Sequence, residues 1–157
     1  MRPILVVALL LAAGTIAAAE PAETKTAFRA WDVFVESGGE TLGAYQVEIS
    51  YPKAMVKIVG VEGGEPEPFQ EAPHYDPKGL KGDRLILAAF TTDTKSAPKG
   101  TVRVARIHMN IEGADTPQIS AKLMTAADID GKKIKMTARL AEAKPEEKGA
   151  GDEKTEE

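Results

Sequence analysis

Two histidines, His74 and His108, and a run of loop carboxylates, Glu62, Glu65, Glu67 and Glu71, are the side chains best suited by type to do chemistry. A histidine titrates near neutrality and can act as base, proton shuttle or metal ligand, but a zinc centre needs several ligands at set spacings. His74 and His108 lie far apart, outside any H-E-x-x-H pattern, and the chain has no cysteine. A zinc site or a thiol nucleophile is therefore not expected. The four glutamates would have to face one another across a sugar cleft to hydrolyse a glycoside. Carboxylates on a solvated loop are common, so glycoside hydrolysis is kept only as a distant third reading behind two kinds of binding. No G-x-S-x-G turn and no phosphate-binding loop is present, which removes the usual serine-nucleophile and nucleotide signatures. Asp128-Ile129-Asp130-Gly131 resembles the start of a calcium loop, but the position that should carry a bidentate Glu is Arg139. It reads as a tight turn, with Asp130-Gly131 supplying the positive φ angles. No enzyme activity, cofactor or metal is expected from these residues.

The elements around these residues are extended. Tyr45, Val47, Ile49 and Tyr51 alternate with Gln46, Glu48 and Ser50, the period of a strand with one dry and one wet face. Pro52 ends that strand, and Val56, Ile58, Val59 and Val61 form a β-branched second run closed by Gly63-Gly64. Before them, Trp31, Val33 and Val35 share one face and Phe28 and Phe34 the other, which suggests a strand covered on each side, with Ser37-Gly38-Gly39 as its break. Trp31 reads as core, since a lone Trp in a β-branched run is more often buried than a sugar platform.

Leu85 to Phe90 is apolar without alternation, so it is either buried on both faces or offers an apolar face to a partner. Ala105, Ile107, Met109 and Ile111 point one way and Arg106, His108 and Asn110 the other, leaving His108 as an ordinary histidine on a wet face. Ile119–Ala127 and Lys132–Leu140 read as a hairpin through the Asp128–Gly131 turn. Between Glu62 and Gly82 the pattern dissolves under Pro66, Pro68, Pro73 and Pro77, as expected of a long loop pinned across a sandwich with a short edge strand inside. Phe69 and Tyr75 would anchor that loop, while His74, Tyr75 and Asp76 are its candidate contact surface.

The ends differ in kind. Arg2, the apolar block Ile4–Ala13 and the small residues Ala17, Ala18 and Ala19 read as a secretory signal peptide cut after Ala19, the block being too short to span a bilayer. Export to the periplasm or the cell exterior follows, with no membrane span in the mature chain, and the lack of cysteine leaves neither disulfides nor a cysteine-linked lipid anchor. Residues 20–26 form a polar leader, 27–143 one domain, and 144–157 a charged tail too poor in apolar residues to order itself. The formal net charge of −4 becomes one unit more negative once Arg2 is removed, and no basic footprint for nucleic acid remains.

Taken together, GAYQVEISYP, MVKIVGVEGGE, DRLILAAF, GTVRVARIHMNIEG and a closing hairpin resemble the cohesin family over roughly Phe28 to Leu140. The most telling part is Tyr51-Pro52 followed by the V-x-I-V-G-V-E run. The resemblance implies an all-β, two-sheet jelly-roll sandwich, related in fold to some cellulose-binding modules, that acts as a protein-binding module. Typical cohesins bind dockerins, calcium-binding partner domains, through one sheet face. Carried onto this chain, that face would comprise Gln46, Glu48 and Ser50, the outward side of the Leu85–Phe90 strand with Leu85 and Leu87, and Ser120 and Lys122. A polysaccharide ligand is the alternative, though it calls for a flat row of exposed aromatics that one Trp, three Tyr and four Phe supply thinly.

Overall fold

Alternation along the chain becomes layering in space. The computed structural model describes residues 25–113 and 115–144. The expected signal peptide, most of the leader and the tail beyond Lys144 lie outside the described residues. Seven strands follow in order: β1 (Thr26–Thr41), β2 (Ala44–Ser50), β3 (Val56–Gly63), β4 (Arg84–Phe90), β5 (Lys99–Glu112), β6 (Ser120–Ala127) and β7 (Thr137–Glu142). They pair antiparallel into a four-stranded sheet, β3-β5-β1-β7, and a three-stranded sheet, β4-β2-β6. This is the expected two-sheet β-sandwich, without an α-helix among the described residues.

The inward residues meet between the sheets. Trp31, Val33 and Val35 of β1, with Val104, Ile107 and Met109 of β5, face Tyr45, Val47 and Ile49 of β2 and Leu85 and Leu87 of β4. Each such aliphatic side chain contributes about 1.5–3 kcal/mol of burial free energy. Trp31 is core, as expected.

Four features depart from the sequence reading. The Ser37-Gly38-Gly39 stretch does not end β1 but interrupts its pairing with β5 between Glu36 and Thr41. The buried Ser37 hydroxyl donates to Glu40 O and accepts from Gly100 N, so a side chain satisfies the backbone where the ladder breaks. The segments flanking Asp128–Gly131 form no hairpin beyond a single Ala127–Lys133 bridge, because β6 joins β2 in one sheet and β7 joins β1 in the other. The turn itself is tight: Asp128 Oδ1 accepts from Asp130 N and Lys132 N, and Gly131 has φ +79°, whereas Asp130, expected to share the positive φ, does not adopt one.

Thr26, placed in the leader, already pairs with Glu112 in β1. Among the described residues no second layer of structure covers the outer face of β1. Phe28 is 65% exposed and stacks on His108, and Phe34 lies under the Arg139 guanidinium at 4.2 Å, so neighbouring side chains provide what cover these aromatics have.

The Pro-rich connection from β3 to β4 holds two 3-10 turns, Glu67–Phe69 and Pro77–Lys81. Phe69 is buried edge-on to Tyr45, and Tyr75 packs on the core. The loop is thus pinned by its apolar residues. Gly64 lets it pass close to β5, since a Cβ there would strike Arg103 O and the Val104 backbone.

Burial also gives the core a pH signature. Desolvation raises the Tyr45 hydroxyl well above the usual tyrosine range, and that hydroxyl donates to Val104 O at 3.1 Å. A folded-state pKa above the unfolded one means that the stabilisation is complete below the unfolded value and is lost as pH rises past it. The melting temperature is therefore expected to hold up to about pH 9 and to fall beyond about pH 10. Tyr45→Phe should cost about 1 kcal/mol at neutral pH through the lost hydrogen bond, and should shallow the alkaline fall. An unchanged alkaline slope in that variant would assign the fall to other groups.

Candidate functional site

The outer surface of the three-stranded sheet is set by register. Opposite Glu48 stand Ile86 on β4 and Lys122 on β6; opposite Gln46 stand Ala88 and Thr125; opposite Ser50 stand Arg84 and Ser120. These outward rows alternate with inward rows such as Leu87–Val47–Leu123. Gln46, Glu48, Ser50, Ser120 and Lys122 lie on the outer face as expected.

Leu85 and Leu87 do not. Both are fully buried between the sheets, so neither can touch a partner, and the outward residues of β4 are Ile86, Ala88 and Phe90. The pleat is the reason, since consecutive side chains must leave on opposite faces.

The face is apolar at one end and charged at the other. Phe90 is 68% exposed and Met124, at an irregularity in the β2–β6 pairing, is 45% exposed. Beside Phe90 a shallow depression of about 270 Å³ is lined by Ala44, Gln46, His74, Ala88 and Thr125 among others. Small side chains on three adjoining strands leave that space. At the other end the exposed Arg84 lies 3.5 Å from Glu48, whose own side chain is 17% exposed.

Of the candidate contact loop, His74 alone borders this face. His74 N donates to Ala88 O at 2.8 Å and Ala88 N donates back to His74 O at 2.9 Å, adding one rung to the free side of β4. That single bridge stands where a short edge strand was expected inside the Pro-rich loop, and no strand forms there. Tyr75 packs on the core, and Asp76 is occupied locally, its carboxylate accepting from Lys78 N at the start of the Pro77–Lys81 turn.

The opposite sheet has a different character. Arg106 clamps Asp32 through Nε at 2.7 Å and Nη2 at 3.3 Å, Arg103 reaches Glu65 at 3.0 Å, and Arg139 reaches Glu36 at 3.1 Å. His108 is not an isolated surface histidine but lies between the Phe28 ring and Glu62, with Nε2 2.8 Å from a Glu62 oxygen. Glu62 and Glu65 are thus each beside a basic partner, while Glu67 and Glu71 are exposed on the loop. Among the described residues no three His, Asp or Glu side chains cluster in a way that could hold a metal ion.

Sequence reasoning missed Ala44, Ile86, Ala88, Phe90, Met124 and Thr125 on the outer face. Counting outward from Glu48 across its neighbours would have found Ile86, but only with the register known.

The class defined by this architecture is a two-sheet sandwich with a cohesin-like fold, and comparison with solved structures gives the same answer. A chain of the type I cohesin–dockerin complex Coh-OlpA–Doc918 from Clostridium thermocellum superposes with a TM-score of 0.55 at 15% identity, covering 69% of this chain and 82% of that one. A chain of the Coh-OlpC–Doc435 complex from the same organism gives 0.51 at 15% identity, with 80% and 98% covered. A non-cellulosomal cohesin from the archaeon Archaeoglobus fulgidus gives 0.49 at 17% identity over 71% of this chain and 75% of that one. No family model and no curated protein matches the sequence.

Proposed function

We propose that this chain is an exported, non-catalytic binding module that holds a protein partner against the outer face of its three-stranded sheet. The observation that carries this reading is the contrast between the two outer faces. On the four-stranded sheet Arg106, Arg103 and Arg139 are paired with Asp32, Glu65 and Glu36, and a ligand lying over them would have to break those pairs. The other face presents Phe90, Met124, Ile86 and Ala88 beside a depression, with Gln46, Glu48, Ser50, Arg84, Ser120 and Lys122 around them. Exposed apolar side chains bordered by polar groups are in keeping with the anatomy of a protein interface. The similar structures from Clostridium thermocellum are of cohesin–dockerin complexes, which supports a protein partner and makes a dockerin-like domain the first to test.

A polysaccharide would need several aromatic rings in one plane. The strongly exposed rings are Phe28 and Phe90, which sit on opposite sheets, and Trp31 is buried. Protein is therefore the favoured ligand class.

The test is capture of exported proteins from the source organism on immobilised residues 20–143, with and without calcium, beside co-sedimentation with cellulose, chitin and xylan. A partner retained by wild type should be lost from Ala88→Arg, its affinity falling at least about a hundredfold when a guanidinium fills the depression beside Phe90. The melting temperature should stay unchanged, because Ala88 points outward. Val59→Arg, on the opposite sheet, should bind as wild type does. Equal binding by all three proteins would remove the assignment of this face, and sedimentation with a polymer alone would move the function to carbohydrate.

A further inference from the structure

A second cleft lies at the other side of the sandwich, between β3, which is the edge strand of its sheet, and the Pro77–Lys81 turn. Its volume is about 510 Å³, within the range of small-molecule sites. Val56 and Ile58 belong to the buried core, and Met55 and Leu80 pack against it, so the apolar lining is continuous with the space between the sheets. The charged groups are confined to exposed side chains: Lys53, Lys57 and Lys81, against the single carboxylate of Glu112. Among the described residues none of the three lysines is ion-paired. An apolar floor under unpaired ammonium groups matches a ligand with one apolar body and one anionic head.

We propose that this cleft binds a single-chain anionic amphiphile, its acyl chain lying along Ala54, Met55, Pro77 and Leu80 above the buried Val56 and Ile58 and its carboxylate among Lys53, Lys57 and Lys81. An extended acidic peptide would satisfy the same charges. It would have to add along the edge of β3, however, and the Pro77–Lys81 turn already packs against that strand. The acyl chain needs only the apolar lining. Lysine suits this role because its flexible stem covers the apolar chain while the ammonium follows the head group. This site is separate from the sheet face assigned above, and the two stand or fall independently.

The experiment is an NMR titration of 15N-labelled residues 20–157, which contain every described residue, with sodium decanoate below its micellar concentration. Decanol, acetate and a short Glu-rich peptide are run in parallel. Decanoate is expected to shift the amides of Met55, Val56, Lys57, Ile58 and Leu80, while decanol binds at least tenfold more weakly and acetate has no effect. The double variant Lys57→Glu/Lys81→Glu changes exposed residues and leaves the fold intact; it should weaken decanoate at least tenfold, and Leu80→Asp should abolish binding. Several results would overturn the proposal: decanoate shifts confined to the Phe90 depression, decanol binding as tightly as decanoate, or an affinity indifferent to the lysine variants. Shifts along β3 from the Glu-rich peptide with none from decanoate would overturn it in favour of strand addition.

Discussion

Leu87→Asp is expected to leave no cooperative unfolding transition at 25 °C. Leu87 is fully buried at the centre of the inter-sheet core, opposite Val47 on β2. The substitution removes one of the best-buried aliphatic side chains and puts a carboxylate in its place. The cavity alone costs about 2–5 kcal/mol for a large-to-small change in a core. The carboxylate then either stays charged without a partner or takes up a proton, and either course adds several kcal/mol on the scale of about 2–7 for an unsatisfied polar group. Against a total stability of about 5–15 kcal/mol for a domain, the native state does not survive. Circular dichroism and a urea titration read this directly. A folded Leu87→Asp protein would mean that β4 is turned over relative to the register described above, with Ile86 and Ala88 inside.

The second large effect is expected on the opposite sheet. Asp32 stands in mid-β1 with its side chain 14% exposed, held by Nε and Nη2 of Arg106 and lying 3.9 Å from Arg103. Asp32→Ala leaves two largely buried guanidinium groups beside each other without the carboxylate between them. Hydrogen bonds to charged groups contribute about 1.5–3 kcal/mol each, so a net loss of about 3 kcal/mol is expected. Glu142→Ala provides the comparison: it breaks the open Arg29–Glu142 pair, at 3.6 Å and with both side chains 40% exposed or more. Surface pairs of that kind contribute about 0–1 kcal/mol. Urea midpoints at constant slope measure both. Equal small losses from the two variants would show the Asp32 cluster to be no stronger than an ordinary surface pair.

Wherever polar and apolar residues alternated, strand and face could both be read before the fold was known. Gln46, Glu48 and Ser50 fall on the wet side of β2 because Tyr45, Val47 and Ile49 mark the dry one, and β5 follows the same rule. The method fails at β4 because Leu85 and Leu87 are no more apolar to the eye than Ile86 and Phe90. Nothing local states which set turns inward, and the pairing with β2 decides it. A shift of one residue there turns two core leucines onto the outer face and hides the alanines that shape its depression.

The end of the chain shows a second limit. Asp130-Gly131 announces a turn, and a turn is there. Whether the strands beyond it stay together depends on which open edge each can reach: β6 finds β2, and β7 finds β1 in the other sheet. The Ser37–Gly39 stretch was open in the same way, since small and glycine residues signal an irregularity without saying whether the strand stops or resumes.

The pairing of the first and last strands also governs how the domain answers to a pull. β1 and β7 run antiparallel with Trp31 opposite Glu142, and Ala143 N still donates to Ala30 O, so the chain enters and leaves at one end of the same two strands. Tension applied through the segments before Thr26 and after Glu142 falls on the rung nearest that end. The rungs between these strands then open in succession, as in a zipper, instead of sharing the load as they would if the strands were dragged past each other lengthwise. A module tethered from both sides would lose β7 at low force, while the β4-β2-β6 sheet, which is outside the line of load, kept its shape.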